Sequence, residues 1–194
     1  YVCNSYNNSI DIYSLEEYKL ISQNFPLGSL TNGRKSKNYG HINSIYIKNY
    51  MIHCVAHNET KKTGKSSEIF TFDMNFSLLK KIDTKSSCVH NVFFKDYFLF
   101  FDSLNGLMKR DQAPVFSSEF FLRGMAITDN YILVGCSEYS DRDSRIYGSG
   151  NLYVLSQDFK IKSNIKIQSM VHEIRIFDDI DFGRSNSEEF INLA

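Results

Sequence analysis

The sequence contains no tryptophan, only two prolines and no excess of charge, because 22 basic residues balance 22 acidic ones among 194. A neutral balance excludes a protein that binds nucleic acid through a surplus of Lys and Arg. No apolar run approaches the roughly 18 residues of a membrane-spanning helix, so we expect no membrane partner. The scarcity of proline, with 16 Phe and 12 Tyr, excludes a disordered or collagen-like chain.

Cysteine is scarce as well, and its spacing indicates neither zinc nor a disulfide framework. The four residues form no CxxC pair: Cys3, Cys54, Cys88 and Cys136. Three of them lie in apolar, strand-like runs, where a thiol usually acts as a small buried side chain. Packing is therefore favoured over a disulfide, which predicts a reducing, cytoplasmic setting. The chain opens at Tyr1 without an initiator Met, as expected of a processed or truncated product.

What the sequence does contain is an internal repeat. An apolar run, two polar residues, a Tyr and a second apolar run recur at residues 45–52, 92–99 and 126–133. Asn and Asp tolerate the positive backbone angles of a tight hairpin, so each copy predicts two strands and a turn. A second repeat places an aromatic residue after a polar turn, at Tyr18, Phe76 and Phe159.

Together the repeats define a unit of four antiparallel strands that recurs roughly every 30–50 residues, which is typical of a β-propeller blade. Residues 41–83, 89–119 and 122–167 each supply one blade. No stretch shows persuasive helical periodicity, so the sequence predicts an all-β protein forming a single domain over residues 1–194.

The two ends of the chain complete this prediction. Residues 1–25 supply three strands without a first one, and residues 171–178 supply a first strand without successors. We expect them to form a fourth blade shared between the termini, which closes the ring and removes open sheet edges. A polar tail follows at 179–194. The alternative is a partial ring of a larger propeller.

The first strand of each blade lines the central channel of a propeller, and ligand sites favour its mouth. His41, His90 and His172 lie at or near matching positions of three first strands, and they are three of only five histidines. Converging imidazoles could bind a divalent metal, with Glu173 as a carboxylate ligand or a general base. The alternative is that these residues are hydrogen-bonded around a water-filled channel.

Four further residues are candidate ligand contacts. Arg123 takes the matching place in the remaining first strand, and its planar guanidinium suits a carboxylate or phosphate. Asn43 and Asn91 accompany the histidines, and Glu138 ends a second strand. These residues predict a site for a small polar molecule or a sugar derivative.

Two weaker candidates and one core residue complete the set. His57 and Glu59 follow another second strand, where they could rim the same mouth or simply be solvated. His53 lies within an apolar strand, so we expect a hydrogen-bonded core histidine.

Four segments resemble a bacterial β-propeller family of unknown function. HINS at 41–44 resembles its HxNG entry, and VHN at 89–91 followed by KD at 95–96 is similar to its central histidine strand. LRGMA at 122–126 with VGCS at 134–137 resembles RGLA…VGLS, and GNLYV at 150–154 with VHEI at 171–174 resembles CGxxVV…VEEI. The resemblance implies the propeller fold. It implies no third histidine ligand, because the family often has an acid where His172 stands.

Three functions follow as alternatives. The first is a soluble propeller that binds a small polar or anionic ligand at the channel mouth. The second is a metal-dependent lyase or hydrolase that uses the histidines there, and the third is a protein-interaction scaffold that binds a protein partner through exposed Phe and Tyr. No Walker A, GxGxxG, GxSxG or HExxH motif favours another enzyme class.

Overall fold

The computed structural model describes residues 1–29, 39–140, 148–177 and 181–183. Within these ranges the regular structure is fifteen β-strands, one short α-helix and one 3-10 turn. Within each sheet, strands that are consecutive in sequence are hydrogen-bonded neighbours. The chain divides into two compact units, Tyr1–Val92 and Phe93–Ala194.

The first unit contains two antiparallel sheets in which consecutive strands lie side by side. The first sheet has the order β1 (Val2–Asn4), β2 (Ser9–Tyr13) and β3 (Leu20–Asn24). The second has the order β4 (Ile42–Lys48), β5 (Met51–Ala56), β6 (Glu68–Asp73) and β7 (Leu78–Asp83), with helix α1 (Thr60–Thr63) between β5 and β6. Its core lies on β5 and β6, because their apolar side chains are buried while those of β7 are exposed.

The third sheet begins where the first unit ends, since the division falls within β8. Its strands are β8 (Val89–Phe94), β9 (Phe98–Asp102), β10 (Leu107–Arg110) and β11 (Ala113–Ser117), with the 3-10 turn at Ser103–Asn105. The fourth sheet, wholly in the second unit, has β12 (Phe121–Ile127), β13 (Tyr131–Ser137), β14 (Gly150–Ser156) and β15 (Ile161–Ile167).

The repeated aromatic residue marks a backbone requirement. Tyr18, Phe76 and Phe159 have φ angles of 53°, 62° and 64°, in the left-handed region that bulky residues seldom adopt. In the second of these turns the carboxylate of Asp73 accepts hydrogen bonds from the amides of Asn75 and Ser77, at 2.9 and 2.8 Å. The sequence repeat therefore reflects a left-handed aromatic residue in the turns of three sheets, although the turn that begins at Ser14 is one residue longer than those at Asp73 and Ser156.

The structure differs from the sequence prediction at the C-terminal end. Residues 171–177 form no strand, so the first sheet has three strands, and residue 178 lies outside the described residues. The segment is fastened by a side chain, because the Ser137 hydroxyl accepts a hydrogen bond from the Val171 amide at 2.7 Å. Of the predicted tail 179–194, only 181–183 is described. The shared fourth blade stays a prediction.

The cysteines follow the expected pattern. None of the four is disulfide-bonded, and Cys54, Cys88 and Cys136 are buried. Burial raises the pKa of Cys3 to about 12, which keeps its thiol protonated. The packing role predicted for Cys3, Cys54 and Cys136 is confirmed for Cys54 and Cys136, which are buried, while Cys3 is partly exposed.

Candidate functional site

Three of the predicted ligand-binding residues occupy irregular points of the first strands. The pairing of β4 with β5 skips Asn43, and the pairing of β12 with β13 skips Arg123. Asn91, in β8, has a left-handed φ of 55°. A β-bulge bends its strand and re-aims a side chain, and such bulges are common beside functional sites. Three of the four sheets therefore present a polar side chain at an irregular point of the first strand.

Asn43 connects two elements of the first unit. Its Nδ2 atom donates a hydrogen bond to the Val89 carbonyl at 2.9 Å, and the neighbouring Ser44 hydroxyl accepts one from the Asn91 amide at 2.8 Å. The Oδ1 atom of Asn43 is buried and has no hydrogen-bond partner within the described ranges. A buried amide oxygen in this state favours a donor from a bound molecule or water.

Three imidazoles lie close together in the first unit: the predicted His41 and His90, and His57 between them. The His57 ring centroid lies 4.9 Å from that of His41 and 5.3 Å from that of His90. The backbone explains the first contact, because the His57 amide donates to the His41 carbonyl at 3.2 Å and so extends the pairing of β4 and β5. His172 belongs to the second unit, and its predicted convergence with His41 and His90 stays a prediction.

Hydrogen bonds fix the tautomers of two of these rings. The Nδ1 atom of His90 lies 2.8 Å from the Cys88 carbonyl, which can only accept, so the neutral His90 ring carries its proton on Nδ1. The Nδ1 atom of His57 accepts a hydrogen bond from the Glu59 amide at 3.1 Å, so its proton is on Nε2. The Nε2 atom of His90 is thus a hydrogen-bond acceptor, and the Nε2 atom of the adjacent His57 is a donor.

The carboxylate of Glu59 adds charge to this imidazole cluster of His41, His57 and His90. Its Oε1 atom lies 3.8 Å from His41 Nδ1, and its Oε2 atom lies 3.0 Å from the Lys62 ammonium. Glu59 has a left-handed φ of 46°, as does its neighbour Asn58 at 57°, and such residues cost about 1–3 kcal/mol each. Strained backbone of this kind is concentrated at functional sites.

Within the described residues, no group of three or more His, Cys, Asp and Glu side chains is arranged to hold a metal ion. The divalent metal therefore stays a prediction. His53 behaves as the sequence predicts for a core histidine, since it is 1% exposed and its Nδ1 lies 2.9 Å from Thr71 Oγ1. Burial lowers the pKa of His53 to about 4, so the ring is neutral near pH 7.

The second unit contains a cleft that includes two predicted ligand-binding residues, Arg123 and Glu138. It is small, with a cavity volume of about 20 Å³, and its lining is formed by Phe121, Arg123, Glu138, Tyr139, Ser140 and Met170. Arg123 projects from the bulge in β12, and Glu138 follows the end of β13. The cleft therefore combines a cation, a carboxylate and apolar walls.

Arg123 is held in place by a neutral acceptor. Its Nη1 atom donates a hydrogen bond to Nδ1 of His172 at 2.5 Å. The guanidinium carbon lies 5.6 Å from the centroid of the Phe121 ring, and that ring lies 5.7 Å from the Tyr139 ring. Because the imidazole acceptor is uncharged when its Nδ1 carries no proton, the contact orients the guanidinium without neutralising it.

The two carboxylates predicted for the site have different surroundings. Glu138 is tied to Ser149, whose amide donates to Glu138 Oε2 at 3.4 Å while its carbonyl accepts from the Glu138 amide at 3.0 Å. Glu173 forms an exposed ion pair with Arg175, at 3.1 Å between Oε1 and Nη1. Glu173 does not line the cleft, and its predicted acid–base role stays a prediction.

Sequence reasoning missed two apolar residues of the cleft lining, Phe121 and Met170. Phe121 precedes Arg123 by two positions, and the two-residue period of a strand is a signal that could have paired them. The sequence also indicated His57 only as a weaker site candidate than His41, His90 and His172. Counting pairs outward from the turn at 49–50 places His57 opposite Ile42, and the bulge at Asn43 moves it opposite His41.

No protein-family model matches the chain, and no curated protein matches it. Among solved structures, the computationally designed Ika8 protein is similar, with a TM-score of 0.52 and 16% identity, over 91% of this chain and 49% of that one. The designed Ika4 protein has a TM-score of 0.50 and 17% identity, over 80% of this chain and 88% of that one. BamB from Moraxella catarrhalis reaches 0.40 with 11% identity, over 83% and 45% of the two chains.

These similarities concern the fold alone. The chain spans about half the length of the Ika8 protein. The resemblance to a bacterial family stays a prediction, because no family model matches. No helix among the described residues has the length and apolar character to cross a membrane. The repeated antiparallel sheets and the structural matches show an all-β fold of the β-propeller class.

Proposed function

We propose that the protein binds a small hydroxylated anion, such as a sugar acid, in the cleft of the second unit. The observation that supports this most strongly is the guanidinium of Arg123, which lies in the cleft and is oriented by the neutral acceptor of His172. A planar guanidinium binds a carboxylate or phosphate through two parallel hydrogen bonds. The contact with His172 orients the guanidinium of Arg123 and adds no negative charge to it, which suits binding of an anion.

The other lining residues indicate what else the ligand carries. Phe121 and Tyr139 offer ring faces to an apolar surface, as the CH face of a sugar provides. Glu138 would repel a second anionic group, but it accepts hydrogen bonds from hydroxyl groups. The expected ligand therefore has one anionic group and several hydroxyls.

The size of the cleft limits the ligand further. The space inside the cleft is about 20 Å³, roughly what one water molecule needs and far less than the roughly 300–1,000 Å³ of sites for drug-sized molecules. The cleft therefore accommodates the anionic group of a ligand, and a sugar ring would lie at its open edge beside Phe121 and Tyr139. Because much of such a ligand stays in contact with water, we expect affinity in the micromolar to millimolar range.

Titration calorimetry with glucuronate and with glucose tests this proposal. We expect glucuronate to bind and the neutral sugar to bind at least tenfold more weakly, because only glucuronate has a carboxylate for Arg123. The Arg123→Gln variant should lose at least tenfold in glucuronate affinity.

Arg110→Gln is the matched control, because it removes an equal charge from an arginine that stacks on Tyr97 and does not line the cleft. We expect this variant to bind glucuronate as the unmodified protein does. Equal affinity for the two sugars, or equal losses in the two variants, would contradict the proposal.

A further inference from the structure

Residues 169–175 lie across the fourth sheet on a track of glycines. A Cβ atom at Gly135 would overlap Val171, and one at Gly124 would lie 2.8 Å from Ile174 Cγ1. A Cβ at Gly150 would lie 2.8 Å from the Ser169 carbonyl oxygen. Distances this short do not occur for real side chains, so only glycine allows the segment its close approach to these strands.

Side chains fasten this segment to the sheet. The Ser137 hydroxyl accepts a hydrogen bond from the Val171 amide at 2.7 Å and lies 3.4 Å from the Val171 carbonyl, to which it can donate. Val171 and Ile174 are partly buried, while His172 and Glu173 are exposed. The segment is therefore positioned by its apolar residues on the glycine track, and this places His172 beside Arg123.

We infer that this segment is the second half of the anion site and that His172 is a positioning residue for Arg123. The inference rests on the proposed function of the Arg123 cleft. Arg123 projects from β12, whereas the acceptor that orients it belongs to the segment. An arginine side chain loses much rotamer freedom when it binds, so a side chain oriented beforehand binds an anion more tightly.

Ligand binding and docking of the segment are then coupled. An anion that binds the oriented guanidinium favours the docked segment, and the docked segment raises the affinity for the anion by the same factor. Among the described residues, the charged groups near His172 include Arg123, Glu138, which lines the cleft with Arg123, and the Glu173–Arg175 pair on the segment itself. Binding is best measured near pH 8, where free histidine is neutral.

Two substitutions of His172 test the inference by glucuronate titration. His172→Ala removes the acceptor and should lower the affinity about tenfold. His172→Asn keeps an acceptor oxygen close to the position of Nδ1 and should stay within about twofold of the unmodified protein. Arg175→Ala is the control on the same segment, because its side chain is exposed, pairs with Glu173 and does not line the cleft.

Amide hydrogen exchange of residues 171–175 gives a readout that needs no ligand. In the unliganded protein, His172→Ala should accelerate exchange in this segment, and His172→Asn should not. In the unmodified protein, glucuronate should slow exchange there, as the coupling requires.

The outcomes separate this inference from the proposed function. If Arg123→Gln abolishes binding while both His172 variants bind and exchange like the unmodified protein, the positioning role is wrong and the anion site stands. If glucuronate does not bind but His172→Ala alone accelerates exchange, the segment is held as inferred and the proposed ligand is wrong. Equal losses in the Ala and Asn variants would overturn the inference, since the acceptor would then be irrelevant.

Discussion

Replacing Lys109 by Met is expected to lower the free energy of unfolding by about 3–5 kcal/mol, because it removes a cation that lies against a buried carboxylate. The side chains of Asp102 and Lys109 are only 2% and 10% exposed, and Asp102 Oδ2 lies 3.2 Å from Lys109 Nζ. The amide of Asn105 donates to both oxygens of Asp102 and would remain, but it carries no charge. Urea unfolding of the two proteins measures the loss.

Lys160→Met is the matched control in the same unit. Lys160 lies 2.7 Å from Asp158, and their side chains are 77% and 57% exposed. Exposed pairs contribute about 1 kcal/mol or less, so this variant should unfold almost like the unmodified protein. Equal losses in Lys109→Met and Lys160→Met would show that the Asp102 pair is not desolvated and would contradict the packing of β9 and β10 described above.

The second large effect is expected from Gly135→Ala. The new methyl group would overlap Val171, so the segment 169–175 must move or the sheet must distort, at a cost of about 1–3 kcal/mol. Chemical unfolding measures this cost. The structure predicts that the segment moves. In that case the substitution should accelerate hydrogen exchange, relative to the unmodified protein, more in residues 171–175 than in β13.

A second substitution isolates the contact that causes this effect. Val171→Ala removes the Cγ1 atom that the new methyl group would overlap, so it makes room for that group. The double variant should lose less stability than the sum of the single losses, by at least about 0.5 kcal/mol. Additive losses would mean that Gly135 is needed for another reason and that Val171 does not rest on it.

The sequence predicted the strands well because the signal for a hairpin is local. Apolar runs around Asn49 and Tyr50, both with left-handed φ, form β4 and β5 as predicted. The aromatic residues of the second repeat fall in left-handed turns, so the repetition of sequence followed a repetition of backbone shape. Local chemistry of this kind is visible without any knowledge of tertiary contacts.

The sequence predicted a strand at 171–177, and this prediction was wrong for a physical reason. Alternating apolar residues favour an extended chain, and Val171 and Ile174 do bury their side chains in part. The pattern does not say what they are buried against. Here the partners are glycines and the Ser137 hydroxyl, which hold the segment in place without a strand ladder.

The candidate sites show the same limit. The repeat places Asn43 and Arg123 near corresponding points of their first strands, one position apart, because it aligns Asn43 with Gly124. The contact between His41 and His57 depends on a one-residue bulge, and the sequence does not reveal a bulge. The contact between Arg123 and His172 joins residues 49 positions apart, and no local pattern encodes it.

A crystal structure of the protein with glucuronate tests the central claim most directly. We predict that the carboxylate lies about 2.7–2.9 Å from the guanidinium nitrogens of Arg123, with the sugar ring beside Phe121 and Tyr139 and a hydroxyl on Glu138. His172 should keep its contact with Arg123 in the complex. A sugar bound at the imidazole cluster of the first unit, or an Arg123 that does not contact the carboxylate, would contradict the account.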